Sequence, residues 1–97
     1  MARAACCRLD DFLRAMADDT RQHILALLSE REMSVSEVCR GFSLSQPTIS
    51  HHLGVLRRAK LVRARREGRQ VFYRINTACV VKCCGQIQAL FNKEASG

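Results

Sequence analysis

One proline and five glycines in 97 residues give this chain little material for the irregular loops that house most active sites. It has no Cys-x-x-Cys pair, and no alternation of strand with helix that would hold one, which speaks against a thiol oxidoreductase. The histidines, His23, His51 and His52, fall in stretches of helical periodicity with no evident nucleophile beside them. The chain therefore reads as a non-enzyme, with no catalytic cofactor and no organic substrate. No apolar run approaches the roughly 20 residues of a membrane helix, and Met1 to Cys7 lacks the apolar core of a signal peptide. A cytoplasmic protein with no membrane partner is the expectation. Six cysteines in a reducing compartment point to metal binding or redox sensing in preference to structural disulfides.

What is present is enough apolar material, 47% of the residues, for one domain over residues 1–97. The net charge of +7 is concentrated. Between Arg57 and Arg74 lie Arg57, Arg58, Lys60, Arg63, Arg65, Arg66, Arg69 and Arg74 against Glu67 alone, and the rest of the chain is neutral in sum. So focused an excess suits a polyanion better than it suits general solubility.

The pattern along the chain is mostly helical. From about Cys6 to Ala17, Leu9, Phe12, Leu13 and Met16 share one helical face. Asp19, with Gln22 three residues on, is the expected cap of a second helix whose stripe is Ile24, Leu27 and Leu28. Ser34-Val35-Ser36-Glu37 is a capping box for a third, with Val35, Val38 and Phe42 facing inward. Gly41 to Ser43 form a turn, Ser45 caps a fourth helix, and Pro47 lies in its first turn, where a missing N–H costs little. Helix, turn and capped helix make a helix-turn-helix.

On that fourth helix Ile49, Leu53 and Leu56 fix the buried side. At about 100° per residue, Thr48, His51, Val55 and Arg58 fall on or near the opposite side, with Ser50 and Arg57 on a flank. Gly54 also faces outward and would let another surface approach closely. Such a face suits a groove in DNA. After Leu61 the period becomes two, through Val62 to Arg65 and Tyr73 to Ile75, with Arg66-Glu67-Gly68-Arg69 as the turn of a hairpin with a basic tip. Asn76 opens a last helix to about Lys93, where Val80, Cys84, Ile87 and Phe91 recur with Val81 and Leu90 alongside. That apolar face is too broad for one protomer and predicts pairing with a second copy.

Three stretches, Phe12 to Arg21, Leu44 to Arg57 and Arg66 to Ile75, closely resemble the ArsR/SmtB family of metal-responsive repressors. The resemblance implies a mainly α, winged helix-turn-helix fold of about five helices with one two-stranded β-hairpin wing. It also implies a homodimer joined by terminal helices, and repression at a double-stranded DNA operator relieved by an inducer. In such a dimer each recognition helix enters a major groove about one helical turn from the other. Ser45, Gln46, Thr48, Ser50 and His51 are then the candidates for base edges and nearby phosphates, while Arg57, Arg58, Arg65, Arg66 and Arg69 mainly hold phosphates. His52 reads as a partly buried structural residue.

The inducer is a matter of thiols. The family's C-x-C-D-L site at the third helix is broken here by Ser34 and Ser36, leaving Cys39, which matches a third cysteine of arsenic-sensing relatives. The family's Asp/His/Glu zinc site on the last helix is also broken: no histidine follows His52, and no acidic residue precedes Glu94 on that helix. Sulfur remains. Cys79 and Cys83 are i, i+4 neighbours, with Cys84 about 100° further round. Three thiolates suit thiophilic ions, with As(III) first by resemblance and Sb(III), Cd(II), Pb(II) and Hg(II) as alternatives. Cys6 and Cys7 with Cys39, or with the last helix of a second copy, form the alternative set. A redox-sensing repressor, with Cys6 or Cys7 bonding Cys79 or Cys83, is the second reading. A constitutive architectural DNA binder without inducer is the third.

Overall fold

The computed structural model describes residues 8–96, with side chains described through Asn92, so Cys6 and Cys7 lie outside the described residues. The first helix, α1 (Leu9–Met16), has Asp10 and Asp11 in its first turn and Arg14 in its last, in the sense the helix dipole favours. It buries Phe12 and Ala15, whereas Leu13, expected inward, is 50% exposed. The small Ala15, three residues after Phe12, takes the inward line, and Leu13 lies about 100° off it.

Helix α2 (Asp19–Leu28) is capped by Asp18, not Asp19: the Asp18 carboxylate accepts the Arg21 N–H at 3.1 Å. Asp18 alone of the two aspartates has the extended backbone of a cap (φ −142°, ψ 128°), and Asp19 is already helical. Gln22 closes no capping box; its amide donates to the Met16 carbonyl at 2.7 Å. A two-residue strand, β1 (Met33–Ser34), runs directly into α3 (Val35–Cys39). Here the expected capping box forms, with Ser34 Oγ accepting the Glu37 N–H at 3.2 Å and Glu37 Oε1 accepting the Ser34 N–H at 2.9 Å.

After the turn comes α4 (Gln46–Arg58), capped by Ser45 and opened by Pro47 as the sequence predicts. It ends in a Schellman motif: the Lys60 N–H bonds the Arg57 carbonyl and the Leu61 N–H the Leu56 carbonyl, both at 2.9 Å. Lys60 occupies the left-handed position usually given to glycine, with φ 70°. The Asn76 amide supports it by donating to the Lys60 carbonyl at 2.9 Å.

The wing consists of β2 (Val62–Glu67) and β3 (Gln70–Ile75), antiparallel, with Glu67 opposite Gln70. Its strands run further than expected, so the turn is only Gly68-Arg69. Gly68 at φ 63° takes the first turn position, where a left-handed backbone is needed. On the other edge of β3, Met33 pairs with Tyr73 and Ser34 with Phe72, giving the sheet order β1-β3-β2. This third strand is too short to show a period.

One core joins the layers. Ile24, Leu28, Val38, Ile49, Leu53, Leu56 and Leu61 are sealed within it, and burying each such side chain contributes about 1.5–3 kcal/mol. The last helix, α5 (Thr77–Ser96), packs on α1. Its buried line runs through Cys79 and Cys83, with Val80 and Ile87 half-buried. Cys84 is exposed, contrary to the expected stripe. The two small, apolar thiols fit against the core and turn the helix about 110° from the line through Cys84 and Phe91. No described helix is long and apolar enough to cross a membrane.

Candidate nucleic-acid interface

The buried line of Ile49, Leu53 and Leu56 leaves the rest of α4 facing out. Gln46, Thr48, Ser50, His51, Arg57 and Arg58 are all exposed. Gln46, Ser50 and Arg57 lie on the flank toward the wing, and His51 and Arg58 lie opposite the core. Ser45 is exposed but already employed: its hydroxyl caps the helix and lies 2.9 Å from the Thr48 hydroxyl. Val55 is half-buried on the other flank. His52 is also half-buried there, with Nδ1 accepting from Arg21 Nη1 at 3.1 Å, in keeping with a structural role. At Gly54 a Cβ would lie 3.3 Å from Arg58 Nη1. The glycine makes room for a guanidinium of its own helix, which the sequence reading assigned to an approaching surface.

The wing faces the same cleft. Gln46 from α4 meets Arg69, Gln70 and Val71 from the wing across one concavity, and Arg57 meets Ala64, Arg66 and Tyr73 across the next. At the wing's root a larger concavity of about 500 Å³ is lined by Arg57, Lys60, Arg63 and Arg74. Lys60, Arg63 and Arg74 were counted in the basic stretch but given no part in the site. Arg63 stands opposite Arg74 in the strand register, a like-charge pair that destabilises a hairpin unless an anion lies near. Among the described residues no ion pair involves Arg57, Arg58, Lys60, Arg63, Arg66, Arg69 or Arg74.

Arg65 is the exception within this patch. Its Nε and Nη2 donate to the two Glu32 carboxylate oxygens at 2.9 and 2.8 Å, and its Nη1 to Glu67 at 2.8 Å. These bonds hold the Glu32 carboxyl below its ordinary range and raise the Arg65 guanidinium above its own. A phosphate would have to compete with two carboxylates for Arg65.

Residues 18–64, which span α2 to the start of the wing, match the profile of bacterial regulatory proteins of the arsR family. The chain is 41% identical over 91 residues to the HTH-type transcriptional regulator KmtR of Mycobacterium tuberculosis, covering 94% of this chain and 68% of that protein. The chain belongs to the ArsR family. Within it, the transcriptional repressor SdpR of Bacillus subtilis is 31% identical over 85 residues, covering 88% of this chain and 94% of that one. An ArsR-like transcriptional regulator from Rhodococcus sp. RHA1 superposes with a TM-score of 0.77 at 27% identity, covering 91% of this chain and 86% of that chain. The winged helix-turn-helix architecture and the role of transcriptional regulator follow from this membership.

The ArsR-type thiols are not gathered into a ready site. Cys79 and Cys83 lie side by side on the buried face of α5, Cys84 points away and is exposed, and Cys39 is half-buried on α3. Among the described residues no disulfide joins any of the four, and no group of three Cys, His, Asp or Glu is placed to hold a metal ion.

Proposed function

We propose that the chain is a cytoplasmic repressor that grips an operator duplex as a homodimer, each protomer reading bases with the start of α4 and holding phosphates with the wing. The observation that carries this reading is the cleft between α4 and the wing: exposed Gln46, Ser50 and His51 on one wall, and arginines without carboxylate partners on the other. Glutamine pairs bidentately with adenine, while serine and histidine hydroxyl or ring groups are less selective. Arg57, Arg58, Arg66 and Arg69 hold the backbone and give the affinity its salt dependence. Titration of duplexes over a range of salt tests the assignment. Arg69→Ala weakens all sequences alike and lowers the salt slope by about one. Gln46→Ala and Ser50→Ala also blur sequence preference. If none of the three changes DNA affinity, the assignment fails.

The inducer in this reading is a thiophilic ion, arsenite first, bound by Cys79, Cys83 and Cys84 of α5, with Cys6 and Cys7 joined to Cys39 or to the last helix of a second copy as the alternative set. Support comes from the pairing of Cys79 with Cys83 on one helical face and from a donor set without nitrogen or oxygen. Closing such a site pulls a buried pair and an outer thiol together, which bends α5 and changes the angle between protomers. Operator release is measured against As(III), Sb(III), Cd(II), Pb(II) and Hg(II), and repeated with Cys79, Cys83 and Cys84 changed singly to alanine. Release by peroxide alone, with no thiolate-to-metal absorption band, rejects ion sensing in favour of a redox repressor.

A further inference from the structure

Arg65 begins on β2, opposite Phe72 of β3, and Phe72 is in turn opposite Ser34 of β1. Its guanidinium carbon lies 4.8 Å from the centre of the Phe72 ring, and beyond that ring it meets Glu32, just before β1. One side chain thus crosses the whole three-stranded sheet, stacked on the middle strand and bonded through Nε and Nη2 to the far side, while Nη1 stays with Glu67 of its own strand. The β1–β3 ladder it reinforces pairs only Met33 with Tyr73 and Ser34 with Phe72. Arg31, the neighbour of Glu32, reaches Glu37 at 3.3 Å, the residue that closes the α3 capping box. Two adjacent residues of one turn therefore hold the two parts of the DNA clamp: Arg31 the helix-turn-helix, Glu32 the wing. Glu32 is also the one acid lining the basic concavity at the wing's root. Beside a phosphate backbone that charge is repulsive, so its value lies in the bond it makes.

We propose that Arg65 is a positioning residue, strapping the wing to the turn before β1 through Glu32, and not a phosphate contact. The proposal rests on the DNA-binding reading above, and two features make the strap recognisable. A forked guanidinium serves two carboxylates and stacks flat on a ring at the same time, and lysine, with one compact ammonium, has no planar fork to do both at once. The strap also makes a negative charge favourable to DNA binding, the reverse of what simple electrostatics gives.

The test uses Glu32→Gln, Arg65→Lys and Arg65→Ala in the full chain, with duplex affinity measured from low to high salt. The strap predicts that each weakens binding roughly three- to tenfold, that the double change E32Q/R65A is no worse than either alone, and that the salt slope does not move. A phosphate contact predicts the opposite on each count. E32Q then removes a repulsive charge and frees an arginine, so it tightens binding; R65K binds nearly as well as the unchanged chain; and R65A lowers the slope by about one. Affinity that E32Q leaves unchanged or improves overturns the proposal. So does a lowered slope in R65A. Melting midpoints confirm that each variant is folded, and R65K decides the matter should E32Q not fold. If the unchanged chain binds no duplex, the functional reading fails, and NMR then judges the strap alone. The Arg65 Nε–H should exchange slowly, exchange fast in E32Q, and carry shifts in Phe72 and Ser34 with it; equal exchange in both chains overturns the strap.

Discussion

In α4 the line Ile49, Leu53, Leu56 is sealed at 0% exposure, while on α5 several apolar residues stand open, with Val81 63%, Leu90 58% and Phe91 68% exposed. The two helices share an amphipathic pattern and differ in what lies outside them. On α4 the free side is polar and basic, and stays hydrated until a polyanion arrives. On α5 the free side is apolar, and only another protein surface covers it well. An apolar stripe therefore says where a helix is buried only after one asks how many partners the protomer has to offer. The homodimer proposed above takes its support from the α5 half of this contrast.

The contrast can be broken by substitution. Leu53→Ala empties a fully packed position and should cost about 3 kcal/mol, read as a lower midpoint in denaturant, with DNA binding lost only as the fold is lost. Phe91→Asp should leave the protomer's fold intact and weaken self-association by about 2 kcal/mol or more, seen as a shift toward monomer in sedimentation. Were Phe91→Asp to unfold the protomer as Leu53→Ala does, the open face of α5 would belong to the monomer's own core. Lys60→Gly should stabilise by about 1 kcal/mol, because it relieves a left-handed backbone at the end of α4; an unchanged melting midpoint would show that the Asn76 bond already absorbs that strain.

The smallest effect is acidic. Asp18 is held below the ordinary carboxylate range mainly by the Arg21 backbone N–H, Glu37 by the Ser34 backbone N–H, and Glu32 by the Arg65 side chain. Carboxyls with depressed values in the folded state bind protons more readily when unfolded. Their stabilisation is complete above the ordinary range and is lost as pH falls through and below about 4. A melting midpoint that stays level from neutrality to about pH 5 and then declines is expected, and a flat profile down to pH 3 would contradict the caps.

Much of this was legible because it is local. Ser34 announces its helix by Glu37 three positions on, Ser45 by Pro47 in the first turn, and Ile49, Leu53 and Leu56 announce a face by their spacing. The misreadings also have physical causes. Asp18 and Asp19 both qualify as caps, and only the backbone angle separates them. The spacing on α5 puts Cys84 in the apolar stripe, whereas the core takes the small side chains of Cys79 and Cys83 and leaves Cys84 exposed. Arg65 counted as one more cation in a basic run, because its partner Glu32 lies 33 residues earlier and becomes a neighbour only through the sheet.

Arg21 fastens the side of α4 opposite the wing. Its guanidinium takes the Ala15 carbonyl at 2.6 Å and the Arg14 carbonyl at 3.4 Å, both at the end of α1, and His52 of α4 at 3.1 Å. Since α1 packs on α5, a tilt of the terminal helix that carried α1 with it would strain these three bonds, and with them the seat of α4.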